Sequence, residues 1–170
     1  KASNLGSILI RRITIRFSNG RPLPACLAEA MTAKRQAAFW SPVQAAISLV
    51  QLAYLERSLA HILAGWAAKM PAFAAKLVFG LQMHRSMERA TYLRSRVNGL
   101  CYATAEEATI AAGWRSVLSH IDRAQTPARL VAAIYRCLYP HLKTLYETHL
   151  RETDPDGDRA SIDLIRSFLL

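Results

Sequence analysis

Apolar side chains recur along most of this chain at helical rather than strand spacing. From Ser41 to about Lys69 the positions Ala45, Leu49, Leu52, Glu56, Leu59, Ala60 and Leu63 fall on one side of a 3.6-residue period, with Glu56 in the middle of that side. Ser41-Pro42 supplies an N-cap and a proline at the first helical position, and Met70-Pro71 ends this helix and opens the next. The second helix, from Ala72 to about Val97, is phased on Phe73, Leu77, Leu81, His84, Glu88 and Tyr92. A link this short makes the two helices antiparallel neighbours, which sets Glu56 at a depth comparable with His84 or Glu88.

Asn98-Gly99 stops the second helix, and Thr104-Ala105-Glu106-Glu107 is a capping box for a helix through Trp114, Leu118 and Ile121. Thr126-Pro127 starts another, with Leu130, Ile134, Leu138, Leu142, Leu145 and His149 inward and a kink expected at Pro140. The polar run from Thr153 to Asp158 is a loop, and a last helix of about a dozen residues begins near Arg159. Before all of these, Ile8, Ile10, Ile13, Ile15 and Phe17 alternate like a strand that Asn19-Gly20 closes. A lone strand has no sheet to join, so this segment is expected to be an extended arm, followed by a short helix from Pro24 to Gln36.

Composition agrees with a helical domain. The 170 residues are 52% hydrophobic, with only seven glycines and seven prolines, which favours long elements with few turns. The formal charge of +10 points to an acidic protein, nucleic acid or an anionic surface as partner. Scattering of the arginines weakens the nucleic-acid version: local clusters are confined to Arg11, Arg12 and Arg16, and to Arg85, Arg89, Arg94 and Arg96, the latter expected largely on an outer helix side. Cys26, Cys101 and Cys137 are far apart and lack CxxC spacing, so they are expected to be small buried side chains in a reducing compartment, the cytoplasm. Charged residues interrupt every apolar stretch before it reaches membrane-spanning length. No Gly-rich nucleotide loop, Walker motif, GxSxG or HExxH is present.

The chemistry worth weighing lies in the acids and imidazoles in phase with the apolar faces: Glu56 and His61 on the first long helix, His84 and Glu88 on the second, and His149 on the later one. Charge on a core face costs several kcal/mol unless it is paired, hydrogen-bonded or metal-bound. Glu56, His84, Glu88 and His149 are the candidate metal ligands, but carboxylate-bridged di-metal bundles use Glu-x-x-His pairs, and this sequence has none. Pairing of Glu56 and Glu88 with Arg57, Arg89, His61 or His84 across the helix interface satisfies the same groups without a metal and is the favoured expectation. His120 and His141 are expected to be hydrogen-bonded helix residues. Trp66, Phe73, Phe79, Trp114 and Tyr135 are expected as core or interface material.

The run Leu55-Glu56-Arg57-Ser58-Leu59-Ala60-His61-Ile62-Leu63-Ala64-Gly65-Trp66, the helix end Met87-Glu88-Arg89-Ala90-Thr91-Tyr92-Leu93-Arg94, and His149-Leu150-Arg151-Glu152-Thr153-Asp154-Pro155 together resemble a group of bacterial ferritin-like helical proteins. The resemblance covers about residues 42 to 170 and implies an all-α fold, a ferritin-like four-helix bundle over residues 41–170. To this bundle the chain adds residues 1–40 as arm and short helix, extra short helices, and a bundle expected to continue past Leu170. It also implies a di-iron or di-manganese site, with Glu56 as the lone carboxylate of one helix and Glu88 in the carboxylate region of the next. Thr91 stands where the histidine of that motif belongs, and His84 lies on the other side. The expected function is therefore a non-catalytic or vestigial ferritin-like domain without cofactor, serving interaction or assembly with a protein partner or further copies of itself. The alternatives are an iron or manganese oxidoreductase completed by residues outside this segment, and a basic binder of nucleic acid or anionic surfaces.

Overall fold

The structure is a computed structural model that describes residues 39–100 and 107–169. The described residues are all helical: α1 (Pro42–Lys69), α2 (Phe73–Gly99), α3 (Glu107–Asp122), α4 (Pro127–Ala133), a π-helical turn (Ile134–Leu138), α5 (Tyr139–Glu152) and α6 (Arg159–Leu169). The expected arm, the helix from Pro24 to Gln36, most of the capping box at Thr104, Cys26 and Cys101 fall outside them.

Local chemistry explains the boundaries. The Ser41 hydroxyl accepts from the Gln44 amide at 3.3 Å while the Gln44 side chain accepts from the Ser41 amide at 2.9 Å, a reciprocal capping box that starts α1 with Pro42 in its first turn. The Thr126 hydroxyl accepts from the Arg129 amide at 3.3 Å and starts α4 in the same way, ahead of Pro127. At Met70 the backbone turns extended, as it must before Pro71, and α1 ends.

α1 is the central helix. Leu49, Leu52, Leu55 and Leu59 are wholly buried, and α2 lies against it along most of its length, with α3 and α5 on other sides and α6 resting on α5 and α2. Trp66 caps the α3 contact by donating its indole N–H to the Asp122 carbonyl at 3.1 Å. A tilted stack of Trp114 on His141, with ring centroids 4.8 Å apart, ties α3 to α5. Segments α4 and α5 form one helix through the π turn. Pro140 has no N–H and its ring crowds the preceding turn, and directly ahead of it the Tyr139 amide reaches back five residues to the Ile134 carbonyl. The expected disturbance at Pro140 is thus taken up as a widened turn.

One expectation about α2 is wrong. Phe73, Leu77, Leu81 and Tyr92, placed inward by their spacing, are 73%, 59%, 50% and 52% exposed, and His84 and Glu88 lie outside with them. The buried seam is Phe79, Ser86, Ala90, Leu93 and Val97, which has the same period but is rotated round the helix. Small side chains at Ser86 and Ala90 let α2 approach α1 closely, and this seam is flanked by Arg89, which Glu56 of α1 needs. The two faces of α2 are separable by mutation. Leu93→Ala should cost about 2–5 kcal/mol of unfolding free energy in urea titration, whereas Leu77→Ala should stay within about 0.5 kcal/mol.

Candidate functional site

Glu56 is fully buried near the middle of α1. Tyr146 of α5 donates its phenol O–H to Oε1 at 2.8 Å, and Nη1 of Arg89 from α2 lies 3.5 Å from the same oxygen. Ser86, also buried on α2, stands beside the carboxylate and favours its charged form, yet Oε2 has no partner at hydrogen-bonding geometry. Burial is the strongest influence and raises the Glu56 pKa above the ordinary carboxylate value; Ser86, Tyr146 and Arg89 oppose it without overcoming it. Burial, followed by the neighbouring Glu56, also drives the Tyr146 phenol upward, so Tyr146 keeps its proton and remains a donor.

Arg89 carries this centre outward. Its Nη2 donates to the Phe168 carbonyl near the end of α6 at 3.1 Å, and its guanidinium lies 5.7 Å from the Phe168 ring centroid. Beside it a cleft of about 500 Å³ opens between α2, α5 and α6, with Tyr139 and Lys143 on the α5 side. Tyr139 donates to the Gln82 side chain at 3.2 Å, and burial, then Tyr135 and Glu56, push its pKa up to about 12.

The four candidate metal ligands do not converge. His84 and Glu88 pair with each other at 3.6 Å on the solvent side of α2, with side chains 68% and 49% exposed. His149 is fully buried, but its Nδ1 meets the Ser48 hydroxyl at 3.1 Å and its ring stands edge-on to Trp40 at 5.8 Å. Among the described residues no group of three or more His, Cys, Asp or Glu side chains could hold a metal ion. His61 is exposed, as are His120, His141 and Cys137, so the expectation that Cys137 is buried fails. Of the aromatic set, Trp66 and Phe79 are buried, Trp114 is half-buried, and Phe73 and Tyr135 face outward.

The pairing of Glu56 with Arg89 across the helix interface was among those the sequence offered, whereas Glu88 meets His84 within α2, on its solvent side. Tyr146 and Ser86 were not: a tyrosine or serine in a helical run carries no mark of the acid it will serve. Nor was the second basic cluster entirely outward. Arg96 donates from Nη2 to Asp158 at 2.6 Å and from Nε to Ser161 at 2.9 Å, while the Ser161 amide donates to the same Asp158 carboxylate at 3.1 Å. Asp158 thereby caps α6, and although burial would raise its pKa, Ser161 and Arg96 together hold it below the ordinary value.

No protein-family profile matches the chain, and neither the curated proteins nor the solved structures contain a significant match.

Two buried groups give stability opposite pH slopes. Burial lowers the His149 pKa from 6.5 to about 4, against the weaker upward pull of Asp158, so the unfolded chain binds its proton first as pH falls. About 3 kcal/mol should be lost between pH 6.5 and 4. For Glu56 the native state holds the proton more tightly, so its contribution is full below pH 4.5 and declines as pH rises toward its raised native pKa. Urea titrations of Glu56→Gln should show the acid-side loss of His149 without that opposing slope, with Asp158 adding a loss of its own only as pH falls toward its ordinary value of 3.8 and below. Persistence of that loss in His149→Gln would contradict the assignment.

Proposed function

We propose that this chain is a non-catalytic interaction module whose apolar groove, between the start of α2 and α4, receives an amphipathic helix with acidic flanks from a partner protein. The observation that carries this reading is the apolar lining of that groove. The groove, of about 490 Å³, runs over Met70, Ala75 and Phe79 to Val131 and Tyr135, on the side of α2 away from its exposed Phe73, Leu77 and Leu81. An apolar groove between helices suits an incoming helix.

Charge selects the occupant. Residues 69–87 and 123–146, which include the whole lining of the groove, contain Lys69, Lys76, Arg85, Arg123, Arg129, Arg136 and Lys143 and no aspartate or glutamate, although Lys143 meets Glu147 just beyond them at 3.8 Å. A second copy of the chain brings another +10, and its residues 1–38 contain seven basic side chains against one acidic. Both meet like charge, whereas an acidic helix meets complementary charge. The ferritin-like reading remains part of this proposal. It is supported by the antiparallel α1–α2 hairpin, the long helix through α4 and α5, and a single carboxylate retained inside α1, with the di-metal function lost.

Fluorescence anisotropy with two synthetic Leu-faced helices tests it, one flanked by Glu and one by Lys. The Glu-flanked helix should bind at least about tenfold more tightly, lose affinity between low and high salt, and be weakened about tenfold or more by Ala128→Glu with Val131→Glu. Equal binding of the two helices overturns the proposal. So does a concentration-dependent dimer in sedimentation velocity that the same substitutions abolish, because a second copy is then the occupant.

A further inference from the structure

The cleft above Glu56 is separate in chemistry from the apolar groove. Arg89 and Lys143 supply two cations, Lys143 standing 3.8 Å from Glu147, and the one carboxylate lining it, Glu56, is enclosed beneath Arg89, where burial raises its pKa. The remaining walls are largely rings and apolar side chains: Tyr135, Tyr139, Leu142 and Phe168. We propose that this cleft binds a small organic acid with a flat apolar body, its carboxylate held by the Arg89 guanidinium and its body lying against Tyr139 and Phe168.

Three observations converge on that ligand. First, Arg89 is held by the Phe168 carbonyl at 3.1 Å and more loosely by Glu56 at 3.5 Å, which is long for a charge-assisted hydrogen bond. Guanidinium donors therefore have capacity for a second, planar acceptor, which a carboxylate matches in shape. Second, Glu56 Oε2 is buried without a partner. A bound carboxylate that draws Arg89 toward itself takes the nearest cation from Glu56 and so moves its pKa further in the direction that burial already sets. The groups facing Glu56 are consistent with this exchange: Arg89 and Ser86 from α2, and Tyr146 and Tyr139 from α5, none of them a second anion. Third, an amine ligand is disfavoured because Arg89 already occupies the cation position beside the Phe168 ring.

Titration of the full chain with phenylacetate, benzylamine and inorganic phosphate, followed by amide NMR shifts and calorimetry, tests the inference. Phenylacetate should saturate, with shifts centred on Arg89, Tyr139 and Phe168; benzylamine should not bind, and phosphate should bind at least about tenfold more weakly. Arg89→Gln should lose about tenfold or more, and Arg89→Lys nearly as much, since a point charge lacks the planar fork. Glu56→Gln, which releases Arg89 and keeps a donor in place, should tighten binding severalfold. A purely structural Glu56 would give no such gain. Absence of saturation by phenylacetate in the wild-type chain overturns the proposal without recourse to any variant. Equal affinity for benzylamine, equal affinity for phosphate, or retained binding in Arg89→Gln each overturns it as well. Failure of the acidic-helix experiment leaves this result unaffected, because the two tests use different residues and ligands.

Discussion

The burial of Glu56 is the constraint on which the packing of α2, α5 and α6 depends. A carboxyl group in the middle of a central helix costs several kcal/mol unless donors reach it, and α1 itself offers none at that position. Tyr146 must therefore face inward from α5, and the Ser86–Arg89 edge must face inward from α2. Arg89, once there, brings the end of α6 with it through the Phe168 carbonyl. One side chain thus sets the rotation of two helices about their own axes and the position of a third. Hydrophobic burial drives the helices together, but it is nondirectional and does not by itself choose which stripe of α2 meets α1.

This explains what was legible in the sequence and what was not. Helix ends were legible because they are written in local chemistry: Ser41 before Pro42, Met70 before Pro71, Thr126 before Pro127. The expected inward positions of α1 are all buried, but burial runs most of the way round this central helix and takes in Val50, Leu55, Ile62 and Trp66 too; the face of α4 and α5 from Leu130 to His149 was legible because its apolar residues share one phase. α2 carries two apolar stripes, Phe73–Leu77–Leu81 and Phe79–Leu93–Val97, and the first contains the larger exposed set. Periodicity weighs size and so selects that stripe. The fold selects the other because only that one has small residues for close approach and the arginine that an acid on a different helix requires. Partners such as Ser48 for His149, 101 residues away, depend on register between distant helices, which no local pattern encodes.

The same geometry explains why Glu56 and His149, the two buried members of the expected ligand set, remain apart. Ser48 and Glu56 are eight residues distant on α1, about 12 Å along its axis, and each draws a different side chain from α5. His149 is held neutral by desolvation and meets a hydroxyl; Glu56 is drawn toward neutrality by desolvation and meets a phenol and a guanidinium. Each centre resolves its own desolvation with partners that carry no second carboxylate or imidazole, so neither gathers a ligand set. His84 and Glu88 are removed from the question by the rotation of α2 that Glu56 itself requires.

The arginines divide along the same line, and this limits what net charge says about function. Arg89 and Arg96 are seven residues apart on one side of α2 and hold opposite ends of α6: Arg96 meets Asp158 at its N-terminus, and Arg89 meets the Phe168 carbonyl near its C-terminus. Both contacts also match the helix dipole, with an acid at the positive end and a cation at the negative end. Two of the four arginines in the most conspicuous basic cluster thus serve the fold, so the cluster is a poor guide to a partner. The stretches 69–87 and 123–146 are better evidence, since their basic residues have no acidic residue in the same segments and they border exposed apolar surface. Positive charge concentrated beside an apolar groove repels a second copy of itself and favours an acidic partner, whereas the same +10 spread evenly over the surface would select nothing.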